Sequence, residues 1–166
     1  MSGIGIVYVA LKQVQTFQHI LSHKNLEFVP QDVKKICVYV GPNHPLYHAS
    51  SIDFEGLSDL KFVRGVRDFF SMEHHLERVS MGVIDNEKLH HVTYTNSDHL
   101  ILDLLLHSDV CSLGLDFMYE PYAQYSIKPL PINGCEPFLQ MGYVFNPERA
   151  LSAQARWVVD RFRKML

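Results

Sequence analysis

Apolar and polar positions along the chain fall into blocks that switch period repeatedly. Gly3 to Ala10 reads GIGIVYVA, a β-branched and aromatic run expected to form a strand buried on both faces. Leu11, Val14, Phe17 or Gln18, and Leu21 then recur at three- and four-residue steps, which predicts a helix from Leu11 to His23 that Asn25 can stop. Lys34–Val40 (KKICVYV) predicts a second strand, broken by Gly41, Pro42, Asn43 and Pro45. A short helix under Asp53 fits Ile52–Leu60, and KFVRGV at Lys61–Val66 reads as a third strand ending near Gly65. Asp68 can cap a helix running to about Val79, with Phe69, Met72, Leu76 and Val79 on one face. Leu89–Thr95 alternates as a strand, and Asn96, Ser97 and Asp98 are good N-caps for a helix over Leu100–His107. Leu100, Ile101, Leu104 and Leu105 are expected to form its buried stripe. Val110–Met118 reads as a strand with Gly114 inside it, Pro121–Pro137 as short extended pieces, and Phe138–Phe145 as a further strand. Ser152 caps a last helix in which Leu151, Ala155, Val158, Phe162 and Met165 repeat at four-three spacing. Strands and helices alternate with no internal repeat, so the expected class is α/β, a mainly parallel sheet with helices on its faces.

Composition narrows the function classes. A length of 166 residues is about one domain's worth, and 47% hydrophobic with 20% charged residues argues against disorder. The longest apolar runs, such as Leu104–Leu106, fall far short of the roughly 20 residues a membrane span needs. No secretory signal is visible, so the expected location is cytoplasmic. Fifteen basic and eighteen acidic residues give a net charge of −3, which argues against a polyanion binder. Protonating all ten histidines would move that charge from −3 to +7, so solubility and self-association are expected to respond to acid below about pH 6.5. Cys37, Cys111 and Cys135 are odd in number, widely spaced and form no CxxC pair. They read as small buried hydrophobes in a reduced protein.

The candidate chemistry is thin. His74 and His75 sit beside Glu73 and Glu77, His44 and His48 are four apart, and His90 and His91 are adjacent. Zinc needs three or four converging ligands, HExxH is absent, and neighbours on a strand point to opposite faces. These histidines therefore read as solvated or half-buried polar residues, and no metal or cofactor is expected. GxSxG, GxGxxG and the Walker pattern are absent, and no cysteine lies in a catalytic context, so no catalytic residue is named. Anion binding is the better prospect. Asn96-Ser97-Asp98 ends a strand and opens a helix, where unpaired N–H groups and the helix dipole favour a negative ligand. Arg64 and Arg67 flank Gly65 at the end of another strand, and ligands of open α/β sheets sit outside the carboxyl ends of strands. The plainer reading is that Asn96 and Ser97 only cap their helix and the arginines are solvated.

The order of motifs resembles a known family. VYVGPNHPLY (Val38–Tyr47), followed by IDFEGLSDLKFV (Ile52–Val63), resembles the crossover segment of the effector domain of LysR-type transcriptional regulators. VTYTNSDHLILDLLLHSDVCSLGLDFM (Val92–Met118) resembles the next signature, where a strand ends in a polar cap, a helix follows and a glycine-containing strand returns. Ser112 replaces the first of two usual glycines, Gly114 keeps the second, and Tyr119 stands where a proline is common. The closing MGYVFNPERALSAQARWVVDRFRKML resembles the family's final strand and helix.

The resemblance implies a type II periplasmic-binding-protein-like fold: two α/β lobes joined by two crossing strands, with a small-molecule inducer between them. Lys34–Val40 and the stretch near Pro137–Gly142 would be the crossings. Residues 1–40 and 137–166 would be remnants of lobe I, incomplete, and 41–136 would be lobe II. The winged helix-turn-helix and the early part of lobe I are missing, so the chain is expected to be a fragment whose first strand exposes an apolar edge. The implied function is a non-catalytic, inducer-sensing regulatory domain that acts by shifting populations of oligomers. Its ligand would touch Arg64, Gly65, Val66 and Arg67 on one wall, Asn96, Ser97 and Asp98 on a second, and Gly114 and Leu115 on the return strand. A carboxylate would suit two arginines and a helix N-terminus, with Asp98 opposing it. Expected partners are that inducer and a second copy of the chain, paired along the Ser97–His107 helix, with DNA reached only through the absent winged helix-turn-helix. The alternatives are a solute-binding protein of the same fold, a small α/β transferase, or a dimerising fragment without ligand.

Overall fold

The structure is a computed structural model describing residues 3–66, 72–81, 83–84, 89, 91–116, 122 and 124–164. Asp68, Phe69, His90, Met118, Tyr119 and Met165, to which the sequence assigned roles, lie outside the described residues. The chain divides into two units, Met1–Lys34 with Pro137–Leu166, and Lys35–Glu136.

The first unit carries a three-stranded antiparallel sheet. Its strands are β1 (Gly5–Ala10), β2 (Glu27–Lys34) and β8 (Leu139–Phe145), in the order β1-β8-β2. A 3-10 turn at Leu11–Gln13 leads into α1 (Val14–Ser22). Asn25, in the left-handed region at φ 52°, ends that helix, and the Leu26 N–H turns back to the Leu21 carbonyl at 3.0 Å. Val9, Leu21 and Phe28 form the buried cluster here, and Phe17 meets Phe28 edge to face at 5.5 Å. The expectation that β1 is buried on both faces fails. Among the described residues β8 is its one partner, so it lies at the edge of its sheet; only Val9 along it is buried, and Ile6 is 45% exposed.

β2 itself was not anticipated. Pro30 and Asp32 argue against a strand, and both are tolerated because β2 is an edge strand whose register shifts between them. Gly142 lies opposite Pro30, and a Cβ there would run into the Phe28 ring and come within 2.5 Å of the Val29 carbonyl oxygen. The last helix, α5 (Ala153–Lys164), starts where the Ser152 hydroxyl accepts the Ala155 N–H at 3.1 Å, and it buries Ala155 and Val159.

The second unit holds a five-stranded mixed sheet. β3 (Ile36–Val40), β4 (Lys61–Gly65), β5 (His91–Thr95), β6 (Val110–Leu115) and β7 (Lys128–Pro131) lie in the order β5-β4-β6-β3-β7. β4 runs parallel to β5 and β6, and β3 runs antiparallel to β6 and β7. The carboxyl ends of β4, β5, β6 and β7 therefore share one edge of the sheet with the start of β3. Every residue of β3 is buried, as an all-apolar ICVYV run with neighbours on both sides requires. The helices are α2 (Phe54–Leu57), α3 (Met72–Val79) and α4 (Asp98–His107). Leu105 of α4 packs in a buried cluster with Cys37, Tyr39, Val63 and Ile127. Gly41 is where β3 meets α4: a Cβ at this position would overlap the Leu105 carbonyl.

Two histidines expected to be solvated or half-buried are inside this unit. His44 is 4% exposed, and its Nδ1 accepts the Leu46 N–H at 3.1 Å. Burial lowers its pKa, opposed by the Asp109 carboxylate. The unfolded chain therefore takes up this proton first as pH falls below about 6.5, the ordinary histidine value. The contribution of neutral His44 is fully present above that pH and is lost progressively below it. We expect the urea midpoint to fall between pH 7.5 and 5, and His44→Asn, which keeps an acceptor, to flatten that slope. An unchanged slope would remove His44 as its cause.

Candidate functional site

Parallel register brings the two halves of the expected anion site together. Arg64 pairs with Tyr94 and Gly65 with Thr95, and beyond the ladder the Val66 N–H donates to the Thr95 carbonyl at 3.0 Å. Arg64–Val66 and Asn96–Asp98 therefore leave the sheet side by side. The Arg64 guanidinium carbon lies 5.7 Å from the centre of the Tyr94 ring, a cation–π arrangement that holds the charge at this edge. Tyr94 is 59% exposed and Val66 60%, so both are open to solvent. Arg67 lies outside the described residues.

The second half is a well-formed helix start. Ser97 is the N-cap of α4, and its hydroxyl accepts the Leu100 N–H at 3.3 Å. The Ser97 N–H in turn donates to the Thr95 hydroxyl at 3.1 Å, which fixes the turn between β5 and α4. Asp98 stands in the first helical turn, where the helix dipole favours a carboxylate. That carboxylate also acts on Tyr122, whose pKa is raised by burial first and by Asp98 second.

Gly114 and Leu115 sit differently. The ladder between β4 and β6 ends at Phe62 and Cys111, so neither residue pairs with Arg64 or Gly65. They pair with Cys37 and Ile36 of β3 instead. Leu115 is 1% exposed, and its carbonyl accepts the Tyr39 hydroxyl at 2.7 Å. Both residues are buried.

Sequence reasoning passed over Tyr94, Thr95 and Tyr122, and it read His75 as solvated or half-buried, whereas His75 is 5% exposed. Alternation along β5 puts Tyr94 on the face of Val92, the strand's apolar side, so the pattern did not announce that Tyr94 is exposed. His75 offered no local signal, because its partner is 61 residues away: Nε2 lies 3.2 Å from the Glu136 carbonyl. Nδ1 lies 3.1 Å from an Arg78 nitrogen. A guanidinium only donates, so Nδ1 accepts and Nε2 carries the hydrogen given to Glu136.

The three cysteines are buried and free. Burial pushes the Cys37 thiol up to about 12 and raises Cys111 and Cys135 as well, which keeps them protonated and poor nucleophiles. Among the described residues, no three His, Cys, Asp or Glu side chains converge as a metal site, and no helix is long and apolar enough to cross a membrane.

The mixed α/β sheets of the chain have the fold of type II periplasmic-binding-like effector domains. The chain belongs to the LysR substrate binding domain family, whose model matches residues 15–166. It is a regulatory ligand-binding domain of the kind LysR-type transcriptional regulators carry.

Solved structures agree on the fold. The effector binding domain of QuiR, in complex with shikimate, is 18% identical, with a TM-score of 0.55 over 94% of this chain and 79% of that one. The regulatory domain of MetR from N. meningitidis, a double cysteine-to-serine mutant, is 13% identical, with a TM-score of 0.58 over 98% and 72%. The reduced OxyR regulatory domain from Pseudomonas aeruginosa is 16% identical, with a TM-score of 0.59 over 96% and 72%. Against full-length OxyR from the same organism, this chain spans 49% of the length. No curated protein matches the chain in sequence.

Proposed function

We propose that the second unit takes a small carboxylate-bearing inducer at the carboxyl ends of β4 and β5. The observation that carries this reading is the parallel register of Gly65 with Thr95, which sets an arginine beside a helix N-terminus. Arg64 supplies a charge-assisted hydrogen bond, and the first N–H groups of α4 supply oriented dipoles. Gly65 and Val66 extend the first wall, and Arg67 follows them in sequence. Asn96 and Ser97 form the second wall, with Gly114 and Leu115 as a floor. Asp98 limits how closely a negative group approaches α4. The shikimate on QuiR, itself a carboxylate, supports this ligand class.

In this reading residues 41–136 correspond to effector lobe II, and 1–40 with 137–166 to part of lobe I. The domain works by binding, without covalent chemistry, in a cytoplasmic regulator, and DNA contact is not assigned to these residues. Copies associate through α4, where Leu100 is 44% exposed, and sedimentation at several concentrations tests that point. An inducer acts by favouring one arrangement of the associated copies over another.

Calorimetry of the whole chain against shikimate and benzoate, with benzamide as the uncharged control, tests the ligand class. The carboxylates are expected to bind and benzamide not to. Arg64→Ala should weaken binding by about tenfold or more, the loss of one charge-assisted hydrogen bond. A detected affinity left unchanged by both Arg64→Ala and Ser97→Ala would contradict the assignment.

A further inference from the structure

We propose that His19 and His23 form a two-imidazole site for a divalent first-row transition ion, on the outer face of α1 and separate from the inducer site. The two residues stand one helical turn apart, which places them on the same face. Their Nε2 atoms are 3.2 Å apart, and their rings meet nearly at right angles, with centroids 4.6 Å apart. Both side chains are exposed. Leu21, buried in the cluster with Val9 and Phe28, anchors the helix from its other side. The Ser22 hydroxyl donates to the His19 carbonyl at 2.7 Å and ties down the last turn.

The spacing suits a metal as well as a hydrogen. In the present contact one Nε2 carries a hydrogen and the other accepts it. With metal–nitrogen bonds of about 2.0–2.1 Å, an ion bound by both nitrogens would subtend roughly 100–106°, close to tetrahedral. The donor ring then moves its hydrogen to Nδ1, and water fills the remaining positions. Imidazole suits zinc, copper and nickel, and copper should bind more tightly than zinc in the usual order of affinities. Because the two ligands belong to one helical turn, the second binds at high effective concentration. An ion held there also clamps that turn.

Calorimetric titration of the full chain with zinc chloride and with copper sulfate, in a non-coordinating buffer, tests the site. One ion should bind per chain, and His19→Gln or His23→Gln should each weaken it by roughly a hundredfold, the gain a tethered second ligand provides. His107→Gln removes a different i,i+4 contact, with Asp103, and should leave this affinity unchanged. A second readout needs no substitution: substoichiometric copper should broaden the imidazole proton resonances of His19 and His23 first. No binding at millimolar zinc, equal affinity in the double variant, or first broadening at another histidine would overturn the proposal.

Discussion

Gly41→Ala is expected to lower the unfolding free energy by about 3 kcal/mol, the upper part of the range for an overpacked core. The reason is local and severe. A methyl group at Gly41 would overlap the Leu105 carbonyl oxygen and sit 2.6 Å from its carbon. Both are backbone atoms, so no side-chain rotation relieves the contact. Either the end of β3 or helix α4 must move. β3 is buried along its whole length and paired on both sides, so α4 is the element with room to shift. The damage should appear as faster amide exchange along α4 and across the β3–β6 ladder. Trp157, on α5 of the first unit, gives a fluorescence signal that reports elsewhere in the molecule. Unaltered exchange across β3 and α4 would show that the close approach is not maintained in solution.

Leu105→Ala should cost a similar amount, about 3–4 kcal/mol, by the opposite route. Leu105 is fully buried against Cys37, Tyr39, Val63 and Ile127, and its removal leaves a cavity lined by two strands. The sheet is too constrained to collapse into that space. Tyr39 is held by its hydrogen bond to Leu115 and by edge-to-face contact with Tyr122 at 5.0 Å. Urea unfolding followed by amide exchange checks the value, and a loss below about 1 kcal/mol would mean that the cluster repacks. Because Gly41 meets the backbone of Leu105, the two substitutions should not add. Moving α4 also displaces Ser97 at its start, so Gly41→Ala should weaken carboxylate binding although Gly41 lies away from the proposed site.

The sequence disclosed element types well wherever the pattern was strong. The ICVYV run of β3, the capped helix after Thr95 and the Ser152 cap are all formed, because local propensity and burial agree there. β2 was hidden because its proline and aspartate contradict a strand in isolation. The bulge that accommodates them depends on β8, more than a hundred residues later. The expected double burial of β1 failed for a related reason: composition shows that a strand is apolar and leaves open how many neighbours it has. The proposed site was legible residue by residue, since both segments end strands and precede helices. Their adjacency was not legible, because it follows from the β4–β5 register. The roles of Leu115 and His75 rest on partners far away in sequence, Tyr39 and Glu136, and no local pattern announces such contacts.

An amide-resolved NMR titration of the whole chain with shikimate and benzoate tests the central claim most directly. The account predicts that the largest shifts fall on Arg64, Gly65 and Val66 and on Asn96, Ser97 and Asp98 together, and that they vanish with benzamide. Saturable shifts confined to other parts of the sheet, or equal shifts with the uncharged amide, would contradict it.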